Sequence, residues 1–361
     1  MTVTQLPILN PQDITKSWLN EVLRGAGHDV TVENFVSKRV GTGQVGETYR
    51  FTLELDGKNP SAPTTIVGKF PSSDPESRAT GVNLGNYLRE VRFYQKLAPS
   101  ALITTPVCLH ADVDEETSDF VLMMEDLSPA EQGDQLKGLT LEQAELGIIE
   151  AAKLHASHWG DESLDVYPWL TGTSSAPEGL SDEMMGELWK GFCSRYSDLV
   201  KPEEVEIGEA LIRNYEFYRT GYEGPRCLTH ADFRPDNMMF GTAEGGYPLA
   251  VVDWQSVGLG AAMADVSYFL SGALTRETLR GHEDQLLKRY HQTLIEHGVK
   301  DFTLDNVWNG YRHFSFSLFI MAFAASMIVE RTERGDAMFF AMLRGGAGHV
   351  TDLEALDLLP H

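Results

Sequence analysis

The run Gly41-Thr-Gly-Gln-Val-Gly46 lies between two stretches patterned as β-strands, and this placement constrains the fold more than any other feature of the chain. Before it, residues from about Val30 to Val40 turn toward a strand pattern. After it, Tyr49, Phe51, Leu53 and Leu55 alternate with Thr48, Arg50, Thr52 and Glu54, a period of two that ends at the Asp56-Gly57 turn signal. A G-x-G-x-x-G run most often joins a strand to a helix in a dinucleotide-binding fold. Here no helix follows. The loop is therefore a hairpin tip: either a plain glycine-rich turn, or one in which Gly41, Gly43 and Gly46 let backbone amides lie over nucleotide phosphates.

The elements around the hairpin follow from periodicity. Ile14, Trp18, Leu19, Val22 and Leu23 predict an N-terminal helix, with Asp13 to cap it and Gly25 and Gly27 to end it. Thr64-Thr-Ile-Val-Gly-Lys69-Phe continues the sheet and carries a lysine inside an apolar strand, where an ammonium needs anionic partners. Pro71 to Gly81 reads as a polar loop and Asn83 to Leu97 as a helix with Tyr87, Val91, Tyr94 and Leu97 near one face. Glu90 borders that face, so it either pairs with Lys69 or stays at the surface. Phe120-Val-Leu-Met-Met-Glu125 is a buried strand, and a hinge is expected at Glu125-Asp-Leu-Ser-Pro129, with Met124 or Leu127 packing on a bound base. Thr140 to Trp159 is a helix whose His155 reads as a satisfied core histidine. Thr171 to Asp182 is a loop between helices.

Chemistry concentrates further on, in His230-Ala-Asp-Phe-Arg-Pro-Asp-Asn237 and, sixteen residues later, Asp253-Trp-Gln. Asp232 has the properties of a base for a hydroxyl proton, and Asn237 and Asp253 offer the hard oxygen ligands that Mg²⁺ prefers. The Asp-x-x-x-x-Asn interval is that of a phosphoryl-transfer catalytic loop, and Asp253 ends an apolar run, Leu249-Ala-Val-Val, patterned as a buried strand. Phosphoryl transfer passes through a loose transition state, so aiming a hydroxyl and holding Mg²⁺ against developing charge is the work required.

Taken in order, the glycine loop, Lys69, Glu90, the hinge near Glu125, His230 to Asn237 and Asp253-Trp-Gln resemble the aminoglycoside phosphotransferase and choline kinase-like superfamily, in particular its ecdysteroid kinase-like branch. The resemblance spans most of the chain. It implies an α+β, protein kinase-like bilobal fold, with a small N-lobe of antiparallel sheet and helix and a larger, mainly helical C-lobe. The lobes are expected at residues 1–125, binding nucleotide, and 126–361, carrying the catalytic loop and acceptor site. It implies ATP and Mg²⁺ as cofactors and a small-molecule hydroxyl as acceptor. Asp232 matches the catalytic base, Asn237 and Asp253 the magnesium ligands, Lys69 and Glu90 the pair that orients phosphates, and the Glu125 backbone the reader of the adenine edge. His230 is expected to brace the loop rather than transfer protons. Asp265, ahead of an apolar helix, suits an N-cap and is kept structural. Arg234 either contacts phosphate or bridges loops. Antibiotic-modifying members usually have histidine then glycine between the aspartate and the asparagine, whereas this chain has Arg234-Pro-Asp236. An aminoglycoside or macrolide kinase, or a catalytically silent nucleotide-binding module, stand as the alternatives.

Composition narrows the partners. Twenty-nine basic against fifty-three acidic residues give a net charge of −24, which argues against nucleic acid. Cys108, Cys193 and Cys227 form no paired spacing, so neither a disulfide framework nor a zinc site is suggested. No signal sequence is evident at Met1-Thr-Val-Thr-Gln, and the apolar run Phe314 to Val329 is short for a membrane span. A cytoplasmic monomer or homodimer without a membrane partner is expected, with that run a buried core helix. The C-terminal wealth of Phe and Met is mostly core, yet an apolar lining favours a hydrophobic alcohol over a polycation as acceptor.

Overall fold

The structure, a computed structural model, describes residues 6–41, 45–56, 59, 61–171 and 181–360. The chain divides into two compact units. The first comprises Met1–Ser100, Thr105–Pro129 and Val252–Gln255, and the second Ala101–Thr104, Ala130–Val251 and Ser256–His361.

In the first unit, helix α1 (Lys16–Gly25) begins at Thr15, whose hydroxyl accepts the N–H of Trp18. Asp13 is not the cap: it closes a 3₁₀ turn, Pro11–Asp13, one turn too early to reach the first free amides of the helix. Strands β1 (Thr31–Val40) and β2 (Gly46–Asp56) pair antiparallel with Val40 opposite Thr48, as the hairpin reading requires. β3 (Thr65–Pro71) follows. The segment expected as a loop then folds into helix α2 (Pro75–Asn83), because Asp74 accepts the N–H of Ser77 and Pro75 supplies a pre-set first helical residue. Gly85, at φ +69°, breaks the chain between α2 and α3 (Asn86–Lys96), so the single helix expected from Asn83 starts three residues later. β4 (Cys108–Val113), which the periodicity did not signal, and β5 (Phe120–Glu125) complete a five-stranded antiparallel sheet in the order β1-β2-β3-β5-β4. Trp18, Leu19 and Leu23 of α1 pack with Phe51, Ile66, Phe70 and Met123 of the sheet.

The second unit is mainly helical. It contains β6 (Glu131–Gln132), α4 (Leu141–Ser157), α5 (Pro168–Thr171), α6 (Asp182–Arg195), α7 (Pro202–Arg213), α8 (Tyr215–Thr220), β7 (Arg226–Thr229), β8 (Met238–Thr242), β9 (Gly245–Val251) and β10 (Gly258–Ala261). Helices α9 (Ala262–Ala273), α10 (Arg276–Glu296), α11 (Leu304–His313), α12 (Ser317–Ile328) and α13 (Glu333–Asp352) close it. Most of the expected loop after Thr171 lies outside the described residues. Thr140 caps α4 through a capping box with Gln143. The apolar C-terminal run is a helix interrupted by a 3₁₀ turn at Phe314–Phe316, and Phe316, Phe319, Ile320 and Phe323 are buried in the unit. One helical run, Leu304–Ile328, has the length and composition to cross a membrane, but 61% of its apolar window is covered by protein, as a core helix requires.

Candidate active site

Lys69 sits in β3 opposite Leu122 and Thr48, in the middle of the sheet. Its ammonium donates to Glu90 Oε1 at 2.6 Å and to Asp253 Oδ1 at 2.9 Å. Desolvation would favour the neutral amine, but the two carboxylates outweigh it and hold the lysine pKa well above its ordinary value. The expected Lys69–Glu90 pair is therefore present, with Asp253 as a third member. Glu90 is buried on α3, where the backbone N–H of Trp254 also bonds it. The Trp254 ring stacks on Phe93, centroids 3.9 Å apart and planes within 9°, which anchors the Asp253 turn to α3. Asp253 itself has φ +69°, an uncommon conformation for a residue with a side chain. Its Oδ2 receives a long contact, 3.4 Å, from Gln255 Nε2.

The hairpin tip is partly visible. Gly41 has φ +76°, the left-handed region that favours glycine, and a side chain on Gly46 would press within 3.1 Å of the Phe70 carbonyl. Gly43 lies outside the described residues. At the base of the hairpin the buried Glu47, which the sequence did not single out, bonds Ser73 Oγ and Tyr49 Oη and faces Arg39 at 3.4 Å. The backbone N–H of Glu125 donates to the Val107 carbonyl at 2.9 Å, and the Glu125 carboxylate accepts the Val107 N–H at 3.0 Å. Met124 is buried in β5.

In the second unit, residues 230–237 form the connection from β7 to β8. Asp265, on the first turn of α9, accepts the backbone N–H of His230 at 2.7 Å and of Ala231 at 2.9 Å. Its role is thus structural as expected, but it clamps the loop and does not cap a helix. The N-cap position is Ala261, and Asp265 stands one turn inside the helix. His155 stands behind it, fully buried, with Nε2 3.3 Å from Asp265 and Nδ1 2.8 Å from the Tyr290 hydroxyl, a satisfied core histidine. His230 braces the loop: it is buried and its Nδ1 accepts the N–H of Asp232 at 3.3 Å.

The Asp232 carboxylate is held from three sides. Tyr268 donates to Oδ1 at 2.8 Å, Asn237 Nδ2 to Oδ2 at 2.9 Å, and the Arg234 guanidinium lies 3.1 Å away. Arg234 also reaches Asp236, two residues further along the same loop. Burial works against its charge, but Asp232 and Asp236 overcome that and raise its pKa further. Asp236 in turn accepts the N–H of Gln135. Because Asn237 Nδ2 is committed to Asp232, through the carbonyl at 2.8 Å as well, its amide oxygen is turned away from that carboxylate. Tyr268 had no assigned role from sequence. The signal was there: it lies three residues after Asp265 on one helix, so a clamp at 265 brings 268 to the same side.

Residues 43–300 match the phosphotransferase enzyme family. The chain belongs to that family. This phosphotransferase family chain is similar in structure to the gentamicin–APH(2'')-IIa complex, at TM-score 0.53 and 15% identity, covering 98% of this chain and 99% of the other. ADP-bound aminoglycoside phosphotransferase APH(2'')-Ib aligns at TM-score 0.50 and 14% identity over 92% of this chain and 97% of its own. An ethanolamine kinase of Plasmodium vivax aligns at TM-score 0.50 and 9% identity, over 96% and 90%. At these identities the likeness establishes the protein kinase-like α+β fold. Comparison with curated proteins finds none that matches.

Proposed function

We propose that this chain is an ATP- and Mg²⁺-dependent O-phosphotransferase acting on the hydroxyl of a small molecule. The observation that carries the reading is the set of bonds that fixes Asp232 in a loop of a phosphotransferase family chain. Asp232 accepts the acceptor's hydroxyl proton as the new oxygen–phosphorus bond forms and the bond to ADP breaks. Lys69, aimed by Glu90, offers its charge to the α- and β-phosphates, and the amides of the Gly41–Gly46 hairpin cover them. The Glu125 backbone reads the adenine edge. Residues 1–125 thus provide nucleotide binding, and residues 126–361 the base and the acceptor site.

Asn237 and Asp253 each offer a hard oxygen ligand of the kind Mg²⁺ prefers. With Asn237 and Asp253 as its protein ligands, Mg²⁺ would neutralise charge on the phosphates. The Arg234-Pro-Asp236 centre, tied into Gln135 and Asp232, supports an acceptor other than an aminoglycoside and leaves the ecdysteroid kinase-like branch as the narrower proposal.

The test is ADP release by the purified chain with ATP, Mg²⁺ and a broad panel of alcohols. No release with any of them, together with no change on Asp232→Asn, would remove the reading's support. Metal-dependent nucleotide binding without turnover would point to a silent module instead.

A further inference from the structure

The ladder between β2 and β3 ends with Gly46 opposite Pro71, and continued in the same register it would set Val45 opposite Ser72. The Tyr87 hydroxyl stands between those two residues instead: it donates to the Val45 carbonyl and accepts the Ser72 N–H at 3.2 Å. We infer, building on the phosphotransferase reading, that Tyr87 is a positioning residue for the nucleotide phosphates, fixing the second arm of the glycine hairpin in one frame with Lys69.

Tyr87 lies three residues before Glu90 on α3, and Glu90 holds the Lys69 ammonium at 2.6 Å, so one helix sets both the hairpin arm and the lysine. The ring has little room to shift. It is buried, it packs on Phe120 of β5 with centroids 4.8 Å apart, and Gly81 of α2 comes so close that a Cβ there would lie 2.6 Å from the ring and 2.7 Å from Val45 Cγ1. A second tie acts on the other neighbour of Gly46. The buried Glu47 carboxylate accepts from the Ser73 hydroxyl and from the Ser73 N–H at 3.2 Å. Gly46 is thereby flanked by two anchors, both to the residues that follow β3. A glycine-rich arm left free would lose its backbone freedom each time phosphates bind beneath it; holding it beforehand removes that cost. Packing alone would be served as well by a phenylalanine, whereas the phenol oxygen makes two backbone bonds that no other group on α3 supplies to Val45 and Ser72 in the described contacts.

The experiment titrates the full chain and its Tyr87→Phe variant, which keeps the ring, with ATP and with adenosine in the presence of Mg²⁺, and reads both dissociation constants by calorimetry. Tyr87→Phe is expected to weaken ATP by about tenfold, the worth of one well-placed hydrogen bond, and to leave adenosine within about twofold, since adenosine carries no phosphate for the hairpin to cover. Ser73→Ala, at an exposed position, is expected to move the same ratio by a few-fold, and it stands in for Tyr87→Phe should that variant fail to fold. An ATP-to-adenosine ratio unchanged in folded Tyr87→Phe, or in Ser73→Ala where it stands in, overturns the inference. So does an equal loss on both ligands, which would mark Tyr87 as a support of the whole unit. A ratio that falls as expected, in a chain that releases no ADP with any alcohol, would uphold the positioning role and count against the catalytic reading, so the two fail separately.

Discussion

Lys69 Nζ stands 2.6 Å from Glu90 and 2.9 Å from Asp253, one cation between two carboxylates. Removing the ammonium with Lys69→Met leaves both acids without their counter-charge and takes away the group proposed to meet the phosphates. Turnover is expected to fall by about 10²-fold or more, the usual cost of losing an electrostatic stabiliser. Stability should drop by on the order of 3 kcal/mol, since breaking a buried pair strands its partner. Glu90→Gln, which keeps a hydrogen-bond acceptor, should cost less on both counts. Steady-state ADP release and denaturant unfolding measure the two effects; unchanged turnover in Lys69→Met would rule out its catalytic role.

Asp232→Asn keeps the size of the side chain and one acceptor oxygen for Tyr268, while removing the charge that Arg234 faces. Loss of the base should cost ~10²–10⁴-fold in turnover. Nucleotide affinity, assigned to other residues, should stay within a few-fold on grounds of separate sites. Comparing kcat with nucleotide Kd checks this, and equal losses in both would show that Asp232 acts on binding.

Much of this arrangement is legible in the residue order. The hairpin reading of the glycine loop needed only the period-two pattern of Thr48 to Leu55, and Lys69 announced itself as a charge inside an apolar strand. Helix α2 was hidden because Pro71 to Gly81 is polar, although Asp74-Pro75 is a capping sequence in its own right. Edge strand β4 escaped because its residues are mostly half-buried, which leaves no clean alternation. The clamp by Asp265 depends on contacts across more than thirty residues of sequence, for which local patterning carries no signal, and Tyr268 becomes legible only once that clamp is known, from its place three residues further along the same helix.

The clamp gives a stability prediction. Asp265→Ala orphans the N–H groups of His230 and Ala231 and leaves Ala231 at φ +60° without its restraint. Two charge-assisted bonds are lost, so unfolding free energy should fall by on the order of 3 kcal/mol. Asp265→Asn retains one carbonyl oxygen and should lose about half as much. Activity should fall in parallel because the loop carries Asp232. Chemical unfolding and turnover, measured side by side, test the link; full activity in Asp265→Ala would show that the loop holds its shape unaided.

His349 provides the pH dependence. It is buried on α13 with Nε2 3.1 Å from Ser267 Oγ, Nδ1 3.9 Å from Glu283 and Asp352 nearby. Desolvation pushes its pKa down to about 3, from an ordinary 6.5, with Asp352 opposing only in part. The sign follows from which state takes up the proton. Between those values the unfolded chain is protonated at this residue and the folded chain is not, so stability is full above about pH 6.5 and declines as the pH falls, by up to ~1.4 kcal/mol per unit. Glu283, whose pKa burial raises, works in the opposite sense, so the comparison with a variant is what isolates the histidine. His349→Gln keeps an acceptor for Ser267 and cannot titrate. Its loss of unfolding free energy between pH 7 and pH 5 should be smaller than the wild type's by about 2 kcal/mol. Unfolding curves at the two pH values decide it: parallel losses in both proteins would mean that His349 takes up its proton in the folded state as readily as in the unfolded one.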